Sequence, residues 1–288
     1  MPYHAMLRVG SILAIVVFAA LSPRSGGGFI FLICLAISHY LLALIYSRKQ
    51  ISRMLGHARA RWAFLGLVLA AAALYQSRFS LVLYFGIHHV FNEVYLLRRV
   101  VRLDEGADAR ALRVSSLLLN FCLYFVLLRH HRELAFLNAG LLWAALGVGY
   151  AAFFYYLLRL RAGLKVSELI DISAFEVLGL LLVAASFYVR MDFLSVVLYH
   201  VFFWTLYPLA GLAKQGGGRV VRYGAWTFAV LALCLFLSPL GVVEFSAQQW
   251  FEQFRFGTFL HITLSFALSS AHPVWITRWL QPQHSPSG

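Results

Sequence analysis

Apolar residues gather into ten runs along the chain, at roughly 6–21, 29–47, 62–75, 79–97, 114–129, 134–158, 172–189, 193–212, 221–238 and 256–276. A helix rises about 1.5 Å per residue and the hydrocarbon core of a bilayer is about 30 Å thick, so runs of this length predict membrane-crossing helices. Breaks between them are short and carry arginine, lysine, glycine or proline. The pattern predicts an all-α fold, a polytopic helical membrane protein with about ten transmembrane helices, forming a single domain over residues 1–280. The first run lacks a small-residue cleavage site and reads as a retained helix. Residues 239–255, with Phe245, Trp250, Phe251 and Phe254 among Glu244, Gln248, Gln249 and Glu252, are expected to lie flat in the headgroup region as an amphipathic helix. The tail 281–288, which carries Pro282 and Pro286, is expected to be disordered.

Composition agrees with a bilayer: 61% of the 288 residues are hydrophobic, 12% are charged and the mean hydropathy is +0.78. The formal net charge of +13 would point to nucleic acid in a soluble chain. Here the basic residues are scattered over short connections, so nucleic acid is set aside as a partner. With a cytoplasmic N-terminus, 18 of the 24 lysines and arginines fall on the inner side, Arg8 among them. That asymmetry predicts both termini in the cytoplasm, the membrane being a bacterial inner membrane. Cys34, Cys122 and Cys234 lie in apolar runs and read as small buried residues rather than a disulfide framework. The triplets Gly26-Gly27-Gly28 and Gly216-Gly217-Gly218 lack a lysine-serine sequel and read as turns.

Polar residues inside the runs carry the candidate chemistry, because an ionisable side chain in hydrocarbon costs a few kcal/mol and usually marks a site. The run 79–97 holds His88, His89, Asn92 and Glu93. Measured from the outer end of each predicted span, His39 lies ten residues in, His88 and His89 nine and ten, and His200 seven. At about 1.5 Å per residue these histidines share a layer roughly 5 Å deep. His261 joins them if the tenth span begins at Phe251 rather than Phe256. Layered imidazoles on separate helices suit a buried metal, and three or four neutral nitrogen ligands with open positions favour iron(II) over closed structural zinc. Glu93 follows His89 by four residues and Asn92 follows His88 by four, so either pair shares a helix face. His88 and His89 point about 100° apart, and which of them is a ligand stays open. Glu93, Glu176 and His272 fall in a lower layer, where Glu93 is a candidate catalytic proton relay or the partner of His272 or an arginine. A single intramembrane histidine is more often a helix-to-helix hydrogen bond, and tyrosines near a boundary such as Tyr46, Tyr95 and Tyr207 are ordinary interfacial anchors.

The order of these features resembles the Brp/Blh family of bacterial membrane carotene-cleaving dioxygenases. Ser38-His39-Tyr40 stands where that family has its first histidine, Tyr84-Phe85-Gly86-Ile87-His88-His89 where it has its second motif, and Tyr199-His200-Val201-Phe202 where it has its third. Ala271-His272-Pro273 resembles the family's proline-histidine ending in reversed order. Two positions depart: Trp204 occupies the place of the third motif's second histidine, and the aspartate after the first motif is absent. A fourth ligand would then come from His261 or Glu93. The resemblance implies a helical protein holding non-haem iron between histidines.

The expected function is therefore a membrane non-haem iron oxidoreductase or oxygenase, with His39, His88, His89, His200 and His261 as the candidate metal ligands and Glu93 as a catalytic group. Its partners would be membrane lipid and a hydrophobic small-molecule substrate, such as a carotenoid, entering from the bilayer. Two other readings use the same residues: a haem-binding electron-transfer protein with paired axial histidines, and a proton-coupled transporter relaying through Glu93 and Glu176. Repeated Val-Leu-Tyr and His-Val-Phe near residues 82–91 and 197–202 leave open a duplication, and a membrane scaffold or assembly factor is the remaining reading.

Overall fold

The computed structural model describes residues 3–21, 27–100, 106–237 and 247–268, and every regular element among them is helical. The helices are α1 (Tyr3–Leu21), α2 (Gly27–Leu55), α3 (Ala58–Leu74), α4 (Arg78–Val100), α5 (Ala107–Leu127), α6 (Ala139–Leu160), α7 (Val166–Ala185), α8 (Phe193–Leu206), α9 (Pro208–Ala213), α10 (Gly217–Leu237) and α11 (Ala247–Leu268). Each of the ten apolar runs overlaps a helix, the eighth divided between α8 and α9 where Pro208 cannot donate a backbone hydrogen bond, while residues 238 and 269–276 at the ends of the ninth and tenth runs lie outside the described residues. Four segments among the described residues are long and apolar enough to cross a membrane: Ala107–Leu127, Ala139–Gly163, Phe193–Ala213 and Gly217–Phe236.

Several helices outlast the apolar runs that announced them. α2 continues through Arg48, Lys49 and Arg53, and α5 begins at Ala107, so that Arg110 and Arg113 are helical. Backbone hydrogen bonding does not stop where a hydrocarbon slab would, and lysine or arginine stems cover apolar surface while the charge reaches outward. The segment expected to lie flat is helical from Ala247 onward and continuous with α11, whereas its residues 239–246 lie outside the described residues. So do His272, its neighbouring motif and the tail 281–288.

Caps explain where three helices start. Asn138 accepts from Leu141 N–H at 3.1 Å to open α6, Asp192 accepts from Ser195 N–H at 2.9 Å to open α8, and Glu168 reaches back to Lys165 N–H at 2.9 Å in α7. Each satisfies a donor that the first turn leaves without an intrahelical partner.

The chain divides into two compact units. Unit 1 comprises residues 1–22 and 89–210, and unit 2 comprises residues 23–88 and 211–288, so α4 changes unit between His88 and His89. In unit 1, α1 packs on α7 and α8, and α5 packs on α6 and α7. One end of this unit is clasped by Arg129, whose guanidinium donates to Val126 O at 3.0 Å, to Ser186 Oγ at 2.9 Å and to Ser186 O at 3.0 Å. The same group sits over the rings of Trp143 and Phe187. In unit 2, α2 is flanked by α3, α10 and α11, and Met54, Ala60 and Ala267 form a small core with Phe64 and Leu67.

Two glycines mark close approaches. A Cβ at Gly179 of α7 would stand 2.9 Å from Leu123 Cδ2 and 3.2 Å from the Tyr150 hydroxyl, and a Cβ at Gly257 of α11 would stand 3.0 Å from the Tyr40 ring. Gly179→Ala and Gly257→Ala are expected to destabilise the protein by about 1–3 kcal/mol each, the usual range for overpacking. The check is the thermal unfolding midpoint of the solubilised variants, with Gly66→Ala inside α3, which meets nothing within 4 Å, as the control expected to hold it or raise it slightly.

Candidate functional site

Unit 2 gathers three of the histidines singled out by the sequence. His39 on α2, His88 on α4 and His261 on α11 meet at the His261 ring, which lies 4.9 Å from the ring of His39 and 5.3 Å from that of His88, centre to centre. His88 is 2% exposed. Tyr40 stacks on His261 at 4.8 Å with 25° between the planes, fixing the imidazole's tilt from the side.

What brings these helices into register is a pair of hydroxyl contacts on either side of His261. Tyr40, next to His39, meets Thr258 Oγ1 at 2.8 Å, and Tyr84, four residues before His88, meets Thr263 Oγ1 at 3.0 Å. Both threonines give their own protons to the carbonyl one turn back, Thr258 to Phe254 O at 2.8 Å and Thr263 to Phe259 O at 2.6 Å. The tyrosines are therefore the donors across the helices. Phe259 and Phe266 stack on Tyr84 at 5.3 and 5.5 Å and hold its ring in place. The result is three imidazoles gathered on helices that neighbouring side chains hold in register.

His261 also faces outward. It lines a cleft of about 120 Å³ between α2 and α11, whose other walls include Tyr40, Leu44, Ile51, Leu264 and Leu268, with Ser47, Gln50 and Ser265 as the polar exceptions.

Unit 1 holds the other histidines. Nδ1 of His89 lies 3.4 Å from Nδ1 of His200, and the rings meet edge to face at 5.6 Å. That separation is longer than the 2.7–3.2 Å of a good N–H hydrogen bond. It is close to the roughly 3.3 Å that separates two ligand atoms at about 2.0–2.1 Å from a tetrahedral metal. Tyr199 and Tyr124 pack against His89, and Trp204, which stands where the resemblance would have placed a histidine, packs against His200.

Beside this pair lies a buried charged group. Arg8 of α1 is 3% exposed and its Nη1 stands 3.1 Å from Oε2 of Glu93, itself 1% exposed, with the Tyr199 hydroxyl next to the same carboxylate. Glu93 thus takes an arginine as partner, one of the outcomes its position left open. Arg8 had counted as an inner-surface charge fixing orientation. It is instead an interior residue, because α1 is helical from Tyr3 and carries Arg8 onto its packed side. Glu176 of α7 is 0% exposed and accepts from Ser116 Oγ at 2.9 Å and from Asn120 Nδ2 at 3.3 Å. Arg8, His89, Asn120, Tyr124 and Tyr199 line a cavity of about 20 Å³, room for one water with several polar partners.

The signals that could have found the missed residues were present but faint. Arg8 sits within the first apolar run, and Thr258 and Thr263 bracket His261, yet a threonine in an apolar helix ordinarily bonds its own backbone.

Set against protein-family models, curated proteins and solved structures, the chain matches none of them.

Proposed function

We propose that the protein is a bilayer-embedded, metal-dependent oxidoreductase that acts on a hydrophobic small molecule, with ten membrane-crossing helices and both termini on the cytoplasmic side. The observation that carries the reading is the placement of His261, which touches His39 and His88 on one side and lines an apolar cleft on the other. A metal held by these nitrogens would stand beside a groove that a lipid-like chain reaches from the bilayer without passing through water.

The donor set fits a transition metal. Imidazole nitrogens suit iron, zinc, copper and nickel, and the candidate ligands are His39, His88 and His261 in unit 2 and the pair His89 and His200 in unit 1. Fewer than six protein ligands leave coordination positions open, the pattern of non-haem iron(II) sites that activate dioxygen. This is also the metal implied by the resemblance to the carotene-cleaving dioxygenases, so a carotenoid or another long apolar lipid is the proposed substrate class. The haem alternative finds less support, since cavities of about 120 and 20 Å³ are well below the few hundred Å³ of ordinary ligand pockets. A linear substrate needs no such enclosure, because it can lie along the lipid-facing cleft with one bond next to His261.

The protein's own groups have defined parts in this scheme. Tyr40 and Tyr84 orient the imidazoles through Thr258 and Thr263, the leucines and isoleucine of the cleft hold the apolar chain, and Ser47, Gln50 and Ser265 offer hydrogen bonds to a polar end group. In unit 1, Glu93 pairs with Arg8 at 3.1 Å close to Tyr199 and is the candidate catalytic group there.

Elemental analysis of the purified full-length protein tests the reading. About one iron per chain is expected, with no Soret absorption, and the iron content of His39→Ala and His261→Ala should fall by more than tenfold. Wild-type protein without stoichiometric iron, zinc or haem would remove the metal reading altogether. Tyr84→Phe and Tyr40→Phe leave every nitrogen in place but loosen the register. Metal affinity is expected to fall by about 10–100-fold in each, measured by competition with a chelator.

A further inference from the structure

The metal reading leaves Glu176 unused, and its surroundings are those of a group with a task. Three ionisable side chains from three helices of unit 1 converge in its interior: Arg8 from α1, Glu93 from α4 and Glu176 from α7, exposed by 3%, 1% and 0%. They share one positive charge between two carboxyl groups. If both were ionised, the cluster would carry a net negative charge in an interior with room for about one water, which burial penalises strongly. One proton removes the imbalance.

Geometry decides which carboxyl carries it. Arg8 Nη1 is 3.1 Å from Glu93, so Glu93 has the charged partner. Glu176 takes its hydrogen bonds from neutral groups, the Ser116 hydroxyl at 2.9 Å and the Asn120 amide at 3.3 and 3.4 Å. Ser116 suits either protonation state, since a hydroxyl donates to a carboxylate and rotates to accept from a carboxylic acid. None of the remaining groups that face the cluster is a second fixed cation: Tyr150 of α6 donates to the Glu176 backbone carbonyl at 3.1 Å, Tyr199 of α8 stands beside Glu93, and His89 of α4, which lines the same cavity as Arg8, has its Nδ1 3.4 Å from that of His200 and the Arg8 charge close by. Arg8 nevertheless stays close to Glu176, because its Nη2 lies 3.8 Å from where a Cβ would stand on Gly179, one turn further along α7.

We propose that Glu176 is a proton-binding site: a carboxylic acid kept neutral at physiological pH by the Arg8–Glu93 pair and able to give up its proton when that pair is disturbed. The proton is the ligand, Ser116 is the switchable hydrogen-bond partner, and Arg8 is the charge that sets whether the acid form or the carboxylate is held. The site does not depend on whether the histidines bind metal.

Infrared spectroscopy of the full-length protein in lipid vesicles at neutral pH tests this, because a buried protonated carboxyl has a carbonyl stretch apart from carboxylate bands that shifts in D2O. Wild-type protein is expected to show one such band. Glu176→Gln should abolish it, and Glu93→Gln should abolish it too, since Arg8 is then left with Glu176 as its only carboxylate and the proton leaves. A wild-type spectrum without the band overturns the proposal, as does a band that survives in Glu176→Gln. If Glu176→Gln does not fold, the wild-type spectrum alone still decides whether a protonated carboxyl is present. Iron content plays no part in this reading, so loss of the band and loss of the metal are separate results.

Discussion

The contact of Arg8 Nη1 with Glu93 Oε2 at 3.1 Å sets the terms for unit 1, because two charges withdrawn from water have to be answered by each other. Breaking such a pair by removing one partner typically costs 3–5 kcal/mol, far more than an exposed ion pair contributes. The requirement propagates outward. α1 has to lie where its guanidinium reaches α4, α7 has to present a glycine at position 179 because a Cβ there would crowd Leu123 and Tyr150, and Tyr150 has to turn its hydroxyl to the Glu176 carbonyl. At the start of α1, Tyr3 donates to the Leu206 carbonyl at 2.7 Å, so the first half of the helix is fixed at two points.

Unit 2 solves the same problem of polar groups among apolar ones without charge. Its contacts are hydroxyl to hydroxyl, Tyr40 with Thr258 and Tyr84 with Thr263, each worth on the order of 0.6 kcal/mol by comparison with other helix-to-helix hydrogen bonds in membranes. Their importance is directional rather than energetic. A one-residue shift of α11 would turn His261 by about 100° and separate both pairs at once. Stacked rings at Phe259 and Phe266 supply the bulk of the attraction, and the hydroxyls choose among the alignments that such greasy surfaces would otherwise accept about equally well.

How much of this was legible in the sequence depends on the kind of signal. Among the described residues the apolar runs overlap helices because hydrophobicity over fifteen or twenty residues is a summed quantity that tolerates error at any one position. Helix ends were not legible, as at Arg48 to Arg53, since a charged residue ends an apolar run without ending a helix. Depth along a helix could be counted, which put His39, His88, His89 and His200 in one layer and His261 with them only if its span began at Phe251; the structure gathers His39 and His88 around His261 in one unit and pairs His89 with His200 in the other. Pairing across helices could not be counted: Arg8 read as an orienting charge because nothing in a linear chain tells that Glu93, 85 positions later, would come to face it.

The order of synthesis gives the buried arginine a further significance. Unit 1 takes its first helix from the extreme N-terminus and the rest from residue 89 onward, with α2 and α3 of the other unit made in between. During translation into a bilayer, α1 would emerge with a guanidinium that has no carboxylate to meet until α4 is made, and with Glu176 and Leu206 later still. An arginine in apolar surroundings costs a few kcal/mol while it has no counter-charge, so α1 would be held loosely while it is alone and firmly only after α4 arrives. A helix made before α4 is thus secured only with it, and the packing of α1 is tied to the completion of the unit it belongs to.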